Sequence, residues 1–116
     1  MDRRNRYDLD SEERARREVV TTAQALIQGE VGVIEGSRRL SGLAHLVVDD
    51  WVADPDFRVF CALDSETDHL PVGKARDLWD PAVLAEKDAD IQRFEALARL
   101  DIESACRRII RRFTKV

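Results

Sequence analysis

The sequence predicts an all-α protein: a compact bundle of four to five helices that ends in a long C-terminal helix. Apolar residues recur at three- and four-residue spacings along most of the chain, and through residues 30–48 they do not alternate with a strand's period of two. Beyond Pro81, residues 82–113 contain neither glycine nor proline, the two residues that most disfavour a helix interior. Asp-Pro pairs at 54–55 and 80–81 read as helix starts, a carboxylate accepting unpaired amides followed by a ring that fits the first turn.

The first ten residues are polar and Arg-rich and are expected to form a loosely ordered tail, leaving residues 11–116 as a single helical domain. Ser11 is the expected N-cap of the first helix, with Glu12 and Glu13 at the positive end of its dipole. Ala15, Val19, Ala23, Leu26 and Ile27 supply that helix's apolar stripe, and Gln28 and Gly29 close it. A second stripe runs through Val31, Ile34, Leu40, Leu43 and Val47. Gly32 and Gly36 lie four apart within it, so a neighbouring helix can approach closely there; the alternative is a break near Gly36, with Ser37 capping a second piece.

The run "DDWVADPDFRVFCAL" places Phe57, Phe60 and Cys61 on one helical face, with a short strand at residues 57–63 as the competing assignment. Pro71 and Gly73 mark most of residues 63–79 as loop. Beyond Asp80, a continuous stripe from Leu84 to Phe113 predicts one helix about 50 Å long at 1.5 Å per residue. A compact domain of this length is roughly 35 Å across. The helix must therefore kink, overhang or pack against a second copy, and a homodimer through helix 81–113 is one expectation.

At 116 residues, 44% hydrophobic and 36% charged, the composition is that of a folded domain whose core needs no disulfide or metal. No apolar run approaches the roughly 18 residues of a membrane span, and the N-terminus lacks a secretory segment, so a cytoplasmic location is expected. Cys61 and Cys106 sit among apolar neighbours as expected buried thiols. A net charge of −4 makes nucleic acid an unlikely partner, because phosphate binding rests on clustered cations.

Charge is unevenly spread. Residues 49–68 hold seven acids, Asp49, Asp50, Asp54, Asp56, Asp64, Glu66 and Asp68, against Arg58 alone. Residues 107–116 hold five cations and no acid; Arg107, Arg108, Arg111 and Arg112 read as a solvated face that complements the helix dipole, with Glu103 placed to pair with Arg107.

The stretch "DSETDH" is the densest constellation. As a calcium loop it fails, since position six is His69 and position twelve Ala75, where glycine and a bidentate acid are needed. No metal site and no cofactor is expected. Glu66, Asp68 and His69 are candidates for acid/base chemistry, histidine being the side-chain type suited to proton transfer, but no phosphate-binding loop or nucleophile elbow accompanies them. The structural alternative is a set of capped turns. The recognition reading joins Asp49, Asp50, Trp51, Asp54, Asp56, Asp64, Glu66, Asp68 and His69 into an acidic surface for a basic protein partner, flanked by Trp51, Phe57 and Trp79; the two tryptophans are anchors on this reading and core residues on the alternative. His45 is expected to be partly buried and satisfied.

The runs "GVIEGSRRL", "DPDF", "DSETDHLP" and "LWDPAVLAEKDADI" resemble a small bacterial helical protein family of unknown function over residues 23–113. That resemblance implies no activity and assigns no residue a role. In class alone the chain is similar to bacterial immunity proteins, which cover the active site of a basic toxin. The sequence thus points to an immunity-type or adaptor binding protein, with a small hydrolase or transferase, or a structural homodimer, as alternatives.

Overall fold

Each amphipathic segment turns its apolar stripe inward. The computed structural model describes residues 6–114, residues 6–9 as backbone alone. Helix α1 spans Arg6–Gln28, α2 Val33–Val47, α3 Arg58–Thr67 and α4 Pro81–Phe113, with a 3₁₀ helix at Gly73–Leu78 before α4. There is no strand among the described residues. The protein is an all-α bundle with a long C-terminal helix.

The expected cap at Ser11 is corrected. α1 is already helical at Arg6, and the Ser11 hydroxyl accepts from the Arg14 guanidinium at 3.3 Å rather than from a backbone amide. Of the tail expected over residues 1–10, residues 6–10 are helical and residues 1–5 lie outside the described residues. α1 ends as predicted at Gly29, whose φ of +77° suits a residue without Cβ. The amides of Gly29 and Glu30 donate back to Leu26 and Ala25 at 3.2 and 2.9 Å.

α2 is one unbroken helix, so the alternative break at Ser37 does not occur. Gly32 and Gly36 both admit neighbours, but different ones. Gly36 lies inside α2, where an added Cβ would stand 2.6 Å from Leu26 Cγ of α1. Gly32 is the N-cap, and there a Cβ would meet the Glu95 carboxylate of α4 at 3.1 Å. That carboxylate accepts from the Ile34 amide at 3.1 Å, satisfying one of α2's unpaired first-turn donors from another helix.

The Asp54-Pro55 pair builds a turn rather than the first turn of α3, which corrects the predicted start. Asp54 Oδ1 accepts from the Asp56 amide at 2.9 Å, and the Asp54 carbonyl accepts from Phe57 and Arg58 at 3.1 and 3.0 Å. Residues 58–63 are helix, not strand. The helix also runs on to Thr67, whose hydroxyl donates to the Leu63 carbonyl at 2.6 Å. Asp64, Ser65 and Glu66, expected in a loop, thus form the last turn of α3.

α4 begins as the sequence predicts, with Asp80 Oδ1 accepting from the Ala82 amide at 2.8 Å and Pro81 in the first turn. Its buried residues are Ile91, Ile102, Ala105, Cys106 and Ile109. None precedes Ile91, so the helix resolves its excess length by overhanging, and the molecule measures 57 × 28 × 24 Å. Arg76 of the 3₁₀ helix braces the overhang with two bonds to Asp88, at 2.7 and 3.1 Å. At the other end Phe57, fully buried, meets Phe60 and Phe113 edge-on at centroid distances of 6.3 and 6.1 Å.

Cys106 is buried, and burial pushes its thiol up to about 12, with Glu103's charge raising it further and Arg107's partly opposing. Cys61 is only half-buried, correcting the expectation of two buried thiols; Ser41 Oγ lies 3.4 Å from its sulfur. His45 is exposed rather than buried, because it sits on the outer face of α2.

Two glycines of α2 give opposite expectations. Gly36→Ala should lose about 1–3 kcal/mol by forcing α1 and α2 apart. Gly42→Ala, with nothing within 4 Å of its Cβ, should gain roughly 0.5–1 kcal/mol from helix propensity. Chemical denaturation of the two variants checks both signs. The bonds from Arg76 hold the Asp88 carboxyl below its ordinary value. A depressed carboxylate contributes stability present above the unfolded-state pKa and lost as pH falls through the folded one. An NMR titration should find Asp88 below the usual carboxylate range, and Arg76→Ala should return it there.

Candidate functional site

The acidic residues of 49–69 do not form one surface, because α3 separates them. α2 and α3 run antiparallel, so the chain connecting them lies at one end and the close of α3 at the other, about 15 Å apart along a ten-residue helix.

The far end carries Asp64, Glu66, Asp68 and His69. It is fixed by Arg38 of α2, which donates to the carbonyls of Thr67 and of Leu70, the latter at 2.9 Å, and reaches Asp64 at 3.6 Å. Arg38 thereby occupies acceptors left open at the helix C-terminus. Glu66, Asp68 and His69 stay exposed. His69 Nδ1 stands 3.9 Å from Asp68 Oδ1, too far for a hydrogen bond. Nothing excludes water there, so the three residues lack the enclosed geometry of an acid/base pair.

The middle group, Asp54 and Asp56, is joined to the opposite pole of the sequence. Arg112 Nη1 bonds both carboxylates, at 3.0 and 2.9 Å, and Arg108 Nε bonds Asp56 at 3.0 Å. The side chains of Asp54 and Asp56 are only 12% and 20% exposed, so the cross-link is sheltered from solvent on its acidic side. Burial lowers the Arg112 pKa, yet hydrogen bonds and charge from Asp56 and Asp54 outweigh it and leave the guanidinium raised. Two arginines expected on a solvated face thus have internal partners. Their signal was present as blocks of opposite charge in one chain.

The near end holds Asp49, Asp50 and Trp51 in the α2–α3 connection. Both acids are exposed and make no ion pair among the described residues. Trp51 is half-buried and packs on the core, which fixes the turn beneath them. Around the acids stand Leu46 and Val52, 45% and 66% exposed. A hollow of about 310 Å³ adjoins them, lined by Ser11, Glu12, His45, Leu46, Val47, Val48 and Asp49. Trp79, the other expected anchor, is 36% exposed but lies beside the overhang of α4.

A larger hollow, about 730 Å³, opens between α1 and the end of α4 over Val20, Val47 and Phe113. Of its arginines, Arg16, Arg17 and Arg112, the sequence singles out Arg112 alone, as part of the C-terminal cationic face. Each has an acidic partner already: Glu12 at 3.1 Å, Glu13 at 3.9 Å, and the Asp54/Asp56 pair. Among the described residues no three His, Cys, Asp or Glu side chains converge as a metal site would require, and no helix is long and apolar enough to cross a membrane.

The chain belongs to a family of proteins of unknown function, DUF2489, whose match covers residues 2–109. No curated protein and no solved structure matches the chain.

Arg112→Ala should cost about 1 kcal/mol, after allowance for solvent screening, by leaving Asp54 without a cation and Asp56 with Arg108 alone. The difference from the unsubstituted protein should narrow as salt is added. Thermal melts at low and high ionic strength measure both effects.

Proposed function

We propose that the protein is a cytoplasmic helical binding module of the immunity or adaptor kind, docking a basic protein partner through the α2–α3 connection. The observation that carries this reading is the contrast among the acids. Asp54, Asp56 and Asp64 are spent on Arg108, Arg112 and Arg38, whereas Asp49 and Asp50 project from a turn anchored by Trp51 and flanked by exposed Leu46 and Val52. Exposed charge beside exposed aliphatic surface is the composition of a recognition patch: the acids steer an approaching cation and the apolar groups hold it. Glu66, Asp68 and His69 form a second exposed acidic group with no large apolar neighbour among the exposed residues, and they rank below the connection for that reason.

Affinity capture from a lysate of the source organism, followed by association kinetics with the retained protein, tests the assignment. Asp49→Lys/Asp50→Lys should lose a basic protein that the unsubstituted chain retains, through a slower, less salt-dependent association. Glu66→Lys/Asp68→Lys should retain it. Unchanged kinetics for the first variant would sink the proposal, and loss through the second alone would move the contact to the end of α3.

A further inference from the structure

The outer face of α4 carries an unusual succession of side chains. Leu97 and Leu100 are 78% and 80% exposed, one turn apart at the middle of a helix whose core-facing stripe lies on the opposite side. Their two isobutyl groups project into solvent with no cover from the bundle. Moving outward from them along the same face, the steps alternate between three and four residues. Toward the N-terminus they reach Arg93, Asp90 and Glu86; toward the C-terminus, Ser104, Arg107 and Arg111. At 100° per residue these positions lie within an arc of about 100°, the seam geometry of a two-stranded coiled coil.

The seam is acidic at one end, apolar in the middle and basic at the other. In a parallel pairing Glu86 would face Glu86 and Arg111 would face Arg111. Turning one helix around removes that repulsion. With a two-fold axis between Ala98 and Arg99, Leu97 meets the other chain's Leu100, Asp90 its Arg107, Glu86 its Arg111 and Arg93 its Ser104. A single register pairs every seam residue, and it repeats each contact twice, as an isologous interface requires.

The groups are available. Glu86 and Arg111 are exposed and make no ion pair among the described residues. Asp90 and Arg107 have only local surface partners, Arg93 at 2.8 Å and Glu103 at 3.6 Å, which are weak enough to exchange. Arg108 and Arg112, held by Asp54 and Asp56, lie to one side of the seam and stay engaged.

We propose that α4 pairs antiparallel with α4 of a second copy of this chain, through Leu97 and Leu100 at the centre and Glu86–Arg111 and Asp90–Arg107 contacts on either side. The seam is about 38 Å long at 1.5 Å per residue, and its narrow width makes the dimer reversible and concentration-dependent. It shares no residue with the α2–α3 connection, so either assignment can fail alone.

Sedimentation equilibrium of the full chain should show a mass rising from 13.3 kDa toward twice that value with concentration. Leu97→Asp, at an exposed position, should remain monomeric with an unchanged helical circular dichroism spectrum. Glu86→Arg and Arg111→Glu, each striking two symmetry-related contacts, should separately weaken the dimer about tenfold. Combined in one chain they should restore it to within a few-fold. A 13.3 kDa species up to several hundred micromolar overturns the proposal and leaves the two leucines to an unrelated partner. So does a dimer that survives Leu97→Asp, or one in which the single charge swaps do nothing or the double swap fails to restore affinity.

Discussion

Burial of one half of α4 is the constraint on which the other elements depend. From Ile91 to Ile109 the helix presents a continuous apolar stripe, and α1, α2 and α3 each pack against it. Those three helices are amphipathic and depend on that contact, since most helix stability in proteins comes from packing an apolar face. Their positions follow from what α4 offers: Glu95 to cap α2, Phe113 to meet Phe57, and Arg108 and Arg112 to hold the turn that begins α3.

The polar contacts explain how a chain with segregated charge folds without self-repulsion. Asp54 and Asp56 lie two apart in sequence and would repel if both stood alone in a sheltered turn. Arg112 bridges them, and Arg108 shares the second. Arg38 performs a related task, serving backbone carbonyls at the end of α3 and a carboxylate together. The planar guanidinium suits such divided contacts, which a lysine's compact charge would not reproduce. Within residues 49–68, the acids left without an arginine partner among the described residues are Asp49, Asp50, Glu66 and Asp68.

Helix type and number were legible because periodicity and the Asp80-Pro81 start are local signals that packing reinforces. The end of α1 at Gly29 was legible for the same reason. The start of α1 was not, because Ser11 resembles a cap in isolation while its hydroxyl has a nearer partner in Arg14. The reach of α3 into "DSET" was hidden because Pro71 and Gly73 signal a loop without fixing where it begins, and the contacts of Thr67 and Arg38 decide that point. The acidic segment read as one surface because sequence distance does not reveal that a helix stands between its two ends. Its link to the C-terminal arginines was written in opposite blocks of charge, but Coulomb complementarity alone does not say which acid meets which arginine. The resemblance to a family of unknown function agrees with the match to DUF2489, which assigns no role.

The uneven cover along α4 also governs how the helix moves. Its C-terminal half is locked under three neighbours, so its amide hydrogens exchange with solvent only when the whole bundle opens. Its first ten residues include no fully buried side chain and rely on Asp80, Pro81 and the Arg76 brace, so they open and reclose by local fraying at much smaller free-energy cost. One continuous helix thus behaves as two kinetic units, with the boundary near Ile91, and a hydrogen-exchange profile along it would step there rather than decline smoothly.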